Sequence, residues 1–182
     1  MDRKTAIVAA AALLASLSSL PAGAAGGLYL GGGVGAATVR EDVSGETLDA
    51  GSAGYKAFIG YRFDQVPLVD LAVEGGYTDF GAPSMTIAGQ EAKFKLHGAY
   101  AAGLLIVPVG PIDLYGKGGV YNWKSELSFG GTTDSRSGSD PFYGVGAGFY
   151  VWKIGIRAEY ERYQIKDVDR VEMFSINALF QF

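Results

Sequence analysis

The sequence contains no cysteine and a single histidine, His97, among its 182 residues. A disulfide framework and a thiolate metal site are therefore excluded, and one histidine without clustered carboxylates gives no metal-ligand set. Lys and Arg number 15 against 19 Asp and Glu, a net charge of −4 that provides no basic surface for nucleic acid. We expect no cofactor, no metal and no nucleic-acid partner.

Proline is scarce, with 6 residues, whereas the 28 glycines far exceed the usual share of about 7%. The glycines follow no collagen-like period. With 48% hydrophobic and 19% charged residues, the chain does not have the composition of a disordered protein. Its length suits one domain with a short appendage.

Only the N-terminus, "MDRKTAIVAAAALLASLSSLPAGAA", contains a long apolar run. Two basic residues precede the run over about residues 6–20, and Pro21 and small residues follow it, as in a secretory signal peptide. An uncleaved anchor is the alternative, but the run is shorter than the roughly 20 residues of a spanning helix. We expect residues 1–25 to be cleaved and residues 26–182 to form the mature domain.

Beyond this segment, no useful length shows helical period, and hydrophobicity alternates with period two. In the terminal "VEMFSINALFQF", apolar residues occupy every second position from Phe174 to Phe182. Seven further stretches of about ten residues alternate in the same way: LYLGGGVGAATV, GYKAFIGYRF, DLAVEGGYTDF, KFKLHGAYAAGLLI, IDLYGKGGVY, FYGVGAGFYV and WKIGIRAEYERY. This pattern predicts eight strands.

The connections alternate between long polar segments, at about 40–52, 79–92 and 124–141, and short ones such as 64–67 and 108–111. Up-and-down topology places all long loops at one end of a barrel and all short turns at the other, as in transmembrane barrels. Strands of about 9–11 residues also suit a bilayer.

A soluble eight-stranded barrel of the lipocalin type is the structural alternative. In each stretch one face is bulky and apolar, and the other combines glycines with charges, too little volume for a packed core. The bulky face is therefore assigned to lipid. Reversing the faces would expose Lys56, Lys117 and Arg157 to lipid at about 2–4 kcal/mol each. This rule also places Leu96, Tyr100, Leu104 and Ile106 outside, and it assigns aromatics near strand ends to interfacial girdles: Phe63, Tyr77, Tyr143, Trp152, Tyr160 and Phe182.

Charged residues of the inner face form the candidate site. Five of them are expected to share a lumen charge network: Glu74, Lys117, Arg157, Glu159 and Glu161. Six others are placed inside but nearer the ends: Lys56, Arg62, Lys95, His97, Asp113 and Lys153. Enclosed charges must pair or stay hydrated. A salt-bridge network that fills the lumen is favoured, and a gate is the alternative.

The stretches "DLYGKGGVY", "GVGAGFYV" and "GIRAEYERY" read like strands five to seven of a known family. From "GLYLGGGVG" to "NALFQF", the chain resembles the transmembrane barrel of the OmpA/OmpX-type small outer-membrane proteins. The resemblance implies an all-β, eight-stranded antiparallel up-and-down barrel in a Gram-negative outer membrane, with both termini periplasmic. We expect the barrel only, without the peptidoglycan-binding domain of longer relatives.

The resemblance also implies roles for particular residues. Glu74 and Arg157 stand where the family has the Glu and Arg of an Arg–Glu–Lys gate, but the fourth-strand segment "AYAAGLLI" lacks the matching Lys, for which Lys117 is a substitute. Aromatic-ended C-terminal strands of the family are recognised by the barrel-assembly machinery. The corresponding assembly signal here is Phe174, Ile176, Phe180 and Phe182.

Enzyme classes are disfavoured. A lipid A deacylase would place a Ser two residues from its His on the lipid-facing side, whereas His97 is assigned to the inner face and Ala99 follows it. An omptin-like protease would need several Asp around its His on a ten-stranded barrel. We expect a non-enzymatic barrel with a structural or surface-interaction role, and a narrow, porin-like gated pore is the alternative. The expected partners are outer-membrane lipid and lipopolysaccharide, the assembly machinery, periplasmic chaperones and an extracellular ligand of the loops; a monomer is expected.

Overall fold

The computed structural model describes residues 27–43, 46–66, 68–81, 84–87, 90–129, 132–165 and 170–182. The expected signal peptide, residues 1–25, lies outside them. The strands are β1 (Gly27–Val43), β2 (Glu46–Val66), β3 (Val69–Asp79), β4 (Ser84–Ile87), β5 (Gln90–Val109), β6 (Ile112–Phe129), β7 (Thr132–Val151), β8 (Ile154–Tyr163) and β9 (Arg170–Gln181).

The strands form one closed antiparallel barrel. Except for β3 and β4, strands adjacent in the sequence pair with each other; β9 pairs with β1, and β3 pairs with β5 to complete the circuit. Strand β4 lies outside the circuit and pairs only with the start of β5. The predicted eight-stranded up-and-down barrel is therefore confirmed. No helix in the described ranges is long and apolar enough to cross a membrane.

Several strands are about twice as long as expected. β2, β5 and β7 have 21, 20 and 20 residues, against the 9–11 that cross a bilayer. The β1–β2 ladder continues to the pair Val43–Glu46, and the β6–β7 ladder continues to Phe129–Thr132. The prediction of loops at 40–52 and 124–141 was therefore wrong, because a polar segment beyond the lipid can still satisfy its backbone in an antiparallel ladder.

Side chains alternate between lumen and exterior as predicted on every barrel strand except β5. On β5, Leu96, Tyr100, Leu104 and Ile106 are buried inside the barrel, and Ala99, Ala101 and Gly103 face outward. The assignment of these four bulky residues to lipid was wrong. Lys95 and His97, which were placed inside, accordingly face the exterior.

The physical reason is that inward glycines leave space for inward rings. A Cβ added to Gly76 would lie 2.6 Å from Cε1 of the Tyr100 ring. The same relation holds for three other pairs: Gly31 with Phe58, Gly60 with Tyr29 and Gly146 with Tyr115. Glycine therefore does not signal an empty inner face in this barrel, because it lies beneath aromatic side chains that fill the lumen.

The orientation of β5 can be tested with two neighbouring leucines, since the chain has no natural cysteine. We expect a nitroxide attached through Leu105→Cys to collide readily with oxygen dissolved in the bilayer, and one attached through Leu104→Cys to be shielded. Electron paramagnetic resonance accessibility in lipid vesicles measures both. Ala101→Cys, on the exposed face, is the control for Leu105→Cys. Higher oxygen accessibility at position 104 than at 105 would contradict the register.

Candidate functional site: the charged lumen

Six charged side chains meet in the middle of the lumen and are called the charge cluster below. They are Lys56, Glu74, Lys117, Arg157, Glu159 and Glu161, each at most 4% exposed. Three are cations and three are carboxylates, so the cluster is neutral overall when all six are ionised. Because an isolated buried charge is very costly, this balance is a condition for enclosing the charges.

Glu74 of β3 accepts hydrogen bonds on both carboxylate oxygens. Lys117 Nζ lies 2.6 Å from its Oε1, and Arg157 Nη1 lies 3.0 Å from its Oε2. The hydroxyls of Tyr100 and Tyr29 donate to the same two oxygens at 2.7 and 3.0 Å. Glu74 is therefore held by side chains from four other strands, which fixes the relative positions of those strands.

Two carboxylates of β8 complete the cluster because residues two apart on a strand point to the same face. Lys56 Nζ bridges Glu159 Oε2 and Glu161 Oε2, at 2.6 Å from each. Arg157 Nη2 lies 2.6 Å from Glu159 Oε1, and Lys117 Nζ lies 3.0 Å from Glu161 Oε1. Each cation therefore contacts two carboxylates at 3.0 Å or less.

Tyrosines surround the cluster with further contacts. The Tyr115 hydroxyl donates to Glu159 Oε1 at 2.7 Å, and the Tyr163 hydroxyl donates to Glu161 Oε2 at 3.0 Å. The Lys117 ammonium lies 4.5 Å from the ring centroid of Tyr100, and the Arg157 guanidinium lies 4.6 Å from that of Tyr115. These cation–π contacts add favourable electrostatic interactions within the buried site.

Four buried rings form an aromatic layer next to the cluster: Phe80, Tyr121, Phe142 and Tyr163. Phe80 meets Tyr163 edge to face at a centroid separation of 4.9 Å, and Phe142 stacks on Tyr163 at 5.1 Å. Tyr121 meets both Phe80 and Tyr163 at 5.8 and 5.0 Å. The layer lies towards the end of the barrel at which the β1–β2 and β6–β7 hairpins turn, called the long-hairpin end below. There the Tyr121 hydroxyl donates to the Thr78 carbonyl at 3.1 Å.

A separate ion-pair group lies towards the opposite end of the barrel, called the short-turn end, where two-residue turns join β5 to β6 and β7 to β8. Arg62 Nη1 lies 2.5 Å from Asp113 Oδ2, and Arg62 Nη2 lies 2.5 Å from Asp70 Oδ2. The Arg62 side chain is 16% exposed, so this group is less enclosed than the charge cluster. The aromatic layer, the charge cluster and the Arg62 group therefore occupy successive levels along the lumen.

The structure brings together all five residues of the predicted charge network. It adds Lys56, which the sequence placed nearer an end and which is 2% exposed at the centre. Parity identifies the face of a strand but not the height along the barrel. Asp113 and Arg62 do lie near an end, whereas Lys153 belongs to an exposed turn.

The tyrosines that donate hydrogen bonds to the carboxylates of the cluster were also missed, and one of them, Tyr100, was assigned to lipid. An inward Tyr beside inward carboxylates was the available signal. The four assembly-signal residues, Phe174, Ile176, Phe180 and Phe182, lie exposed along one face of the C-terminal segment. Within the described ranges, no group of three or more His, Asp or Glu side chains could hold a metal ion.

Comparisons with known proteins agree with this architecture. The family model "Outer membrane protein beta-barrel domain" matches residues 7–182. Outer membrane protein P5 of Haemophilus influenzae is 35% identical over 120 residues, which cover 59% of this chain and 33% of that protein. The chain thus aligns with only about a third of that relative's length.

Two solved structures are similar in fold. The attachment invasion locus protein Ail of Yersinia pestis, solved with the heparin analogue sucrose octasulfate, is 23% identical with a TM-score of 0.58, covering 86% of this chain and 99% of that one. Neisserial surface protein A is 16% identical with a TM-score of 0.60, covering 85% of this chain and 97% of that one.

The charge balance predicts the effect of removing one cation. Lys117→Met leaves three carboxylates facing two cations, so we expect the free energy of unfolding to fall by about 3–5 kcal/mol. Urea unfolding in lipid vesicles measures the change. Lys124→Met, an exposed position on the same strand, should stay within about 0.5 kcal/mol of the parent.

A second variant separates charge from packing. Lys117→Met combined with Glu161→Gln restores neutrality, and we expect it to recover part of the lost stability. Equal stabilities for Lys117→Met and the parent would contradict the importance of the balance.

Proposed function

Because the chain belongs to the outer membrane protein β-barrel domain family, we propose that it is a non-enzymatic membrane barrel that presents hairpins for surface interaction. The observation that carries this proposal is the length of the ladders at one end. The β1–β2, β5–β6 and β6–β7 pairs extend well past what a bilayer requires. The barrel then acts as a rigid base for the two long hairpins at that end, β1–β2 and β6–β7.

The orientation is part of the proposal. The strand ends at Gly27 and Gln181 lie at the same end as the short turns, since Gly27 pairs with Arg62 and the Phe182 amide donates to the Leu28 carbonyl at 2.9 Å. In outer-membrane barrels the short turns face the periplasm. We therefore place residues 27 and 182 on the periplasmic side and the long hairpins outside the cell.

We also propose that the lumen is largely plugged, which favours a structural role over transport. The charge cluster is buried, and the aromatic layer covers it towards the hairpin end. Ions crossing this interior would have to displace paired charges and packed rings, which costs far more than crossing a hydrated channel.

A narrow gated pore is the second candidate, and one observation favours it. Lys117 lies within 3.0 Å of both Glu74 and Glu161, so it can move between carboxylates without leaving the cluster unpaired. Arg157 would then be the only cation of the cluster in contact with Glu74. The gate predicted on Glu74, Arg157 and Lys117 requires such an exchange.

The position of His97 bears on enzymatic activity. The sequence placed His97 on the inner face, which argued against a lipid A deacylase. Since His97 faces outward, that argument no longer applies. Ala99 still occupies the position where that reaction needs a Ser nucleophile. In the β3–β5 ladder, His97 pairs with Asp79. The Asp79 carboxylate accepts hydrogen bonds from the Gly81 amide and the Tyr55 hydroxyl. We propose a packing role for His97, whose ring centroid lies 6.1 Å from that of Tyr77.

Partners follow from the proposed placement. Outer-membrane lipid and lipopolysaccharide surround the apolar exterior, and the exposed aromatic face of β9 would be presented to the assembly machinery after delivery by periplasmic chaperones. The barrel would act as a monomer. Ail is named for attachment and was solved with a heparin analogue; for this chain we propose only that the hairpins contact an extracellular ligand.

Shortening one hairpin at a matched pair tests the surface role. Leu127 pairs with Asp134, so replacing residues 127–134 by Asn-Gly connects Glu126 to Ser135 through a two-residue turn. We expect bacteria that display the shortened barrel to lose most of the adhesion to host cells that the parent confers. Surface amounts and heat-dependent gel migration should be unchanged. Full adhesion after both long hairpins, β1–β2 and β6–β7, have been shortened would contradict the proposal.

A further inference from the structure

A groove of about 630 Å³ lies on the outer surface of the barrel, over β3, β5 and β6. Its volume falls within the range of about 300–1,000 Å³ that is usual for ligand pockets. Gly103 of β5 and Gly116 and Gly118 of β6 form the floor of this groove, which is called the lateral groove below. A Cβ added to any of these three residues would meet no atom within 4 Å, so no protein atom fills the space above them.

Large apolar side chains border the lateral groove on both sides. Leu71 and Val73 of β3 stand on one side, and Tyr143 and Val145 of β7 stand on the other, each about half exposed. The two β7 residues lie directly opposite the glycines of β6 in the β6–β7 ladder. The surface is therefore concave here, with a narrow floor between two raised edges, which suits an extended acyl chain.

Small residues continue from the lateral groove towards the long-hairpin end. On the outer face of β5, Ala101 and Ala99 lead from Gly103 to His97. These six residue steps measure about 20 Å along the strand, and a strand tilt of about 40° converts that length into a depth of about 15 Å. Half of a hydrocarbon core of about 30 Å has the same thickness. A chain that lies in the groove therefore reaches the level of His97 at the surface of its leaflet.

Hydrogen-bond donors lie at the end of this path. His97 is directly opposite Lys124 in the β5–β6 ladder, and Lys124 is directly opposite Ser137 in the β6–β7 ladder. Directly opposed residues have Cβ atoms about 4.5–5.5 Å apart. Lys95 lies two residues from His97 on the same face of β5, and both lysines are exposed. Two ammonium groups, an imidazole and a hydroxyl therefore share one small area of the exterior.

The carboxylates on this face leave Lys124 available. Asp79 lies opposite His97, and its carboxylate already accepts hydrogen bonds from a backbone amide and a tyrosine hydroxyl. Glu126 lies opposite Lys95. The residues directly opposite Lys124 on its two neighbouring strands are His97 and Ser137, which can both donate hydrogen bonds. An anion that binds Lys124 can therefore accept from three strands, as a phosphate does.

We propose that the lateral groove and these donors form a discrete site for one lipid A molecule. A phosphate of the lipid A headgroup contacts Lys124, His97 and Ser137, with Lys95 beside it, and one acyl chain fills the lateral groove. The inference rests on the proposed orientation, which places the long-hairpin end in the outer leaflet, where lipid A is the phosphorylated lipid. This molecule is bound in a one-to-one ratio, unlike the exchanging lipid around the rest of the barrel.

Native mass spectrometry of the folded protein in detergent counts bound lipid directly. As lipid A is added, we expect one molecule to bind before any other, and phosphatidylglycerol to bind about tenfold more weakly. Several molecules of lipid A that bind with equal affinity from the first addition would overturn the discrete site. Equal affinity for phosphatidylglycerol would overturn the assignment to lipid A.

Two variants test the two halves of the site separately. Gly103→Leu fills the lateral groove, and Lys124→Gln removes the central ammonium. We expect each to weaken binding of the first lipid A molecule about tenfold. Ala36→Leu enlarges an exposed residue of β1, and Lys153→Gln removes an exposed cation at the short-turn end, so both matched controls should bind like the parent.

Unchanged affinity in Gly103→Leu would overturn the role of the groove, and unchanged affinity in Lys124→Gln would overturn the phosphate contact. Heat-dependent gel migration reports the folding of each variant. If Gly103→Leu does not fold, Gly118→Leu fills the same space from β6. Binding in detergent depends neither on orientation in the membrane nor on adhesion. The lipid site can therefore fail while the surface role stands, and the reverse also holds.

Discussion

Enclosing six charges inside a membrane-embedded barrel is the constraint on which the rest of this structure depends. Lys56, Glu74, Lys117, Arg157, Glu159 and Glu161 come from β2, β3, β6 and β8, so no strand provides its own neutrality. A shift of one residue in any of these strands would point its charge at lipid and leave its partners buried and unpaired. The charge cluster therefore couples the register of each strand to that of the others.

The aromatic rings fill the space that the charges do not use. Inward Tyr29, Phe58, Tyr100 and Tyr115 each lie over a glycine of a neighbouring strand. In a barrel of eight strands the interior is barely wide enough for side chains, so a ring on one strand requires a missing side chain on the next. Part of the glycine excess of the sequence is therefore a packing requirement of the lumen, whereas Gly103, Gly116 and Gly118 are exposed and have open space beside them. The same tyrosines donate hydrogen bonds to Glu74 and Glu159, which joins the packing of the interior to its electrostatics.

Period two was enough to predict the barrel, its strand order and the inward direction of five cluster residues. The prediction failed on β5 because the face with the larger side chains was assigned to lipid on every strand. On β5 the large residues Tyr100 and Leu104 lie inside, and Ala101 and Gly103 lie outside. It also misplaced Lys56, since height along a barrel depends on strand tilt and stagger, which one sequence does not display. The long hairpins were missed for a different reason: outside the lipid, polar side chains suit both faces of a ladder, and the alternation disappears.

The central claim is that paired charges and packed rings seal this lumen. Single-channel recording of the folded protein in planar bilayers tests it most directly. The account predicts a silent membrane for the parent protein over hours at moderate voltage, and the occasional appearance of small openings after Arg157→Ala has removed one of the two cations that contact Glu74. Reproducible, discrete conductance steps from the parent protein, abolished by Arg157→Ala, would contradict the seal and establish the gated pore in its place.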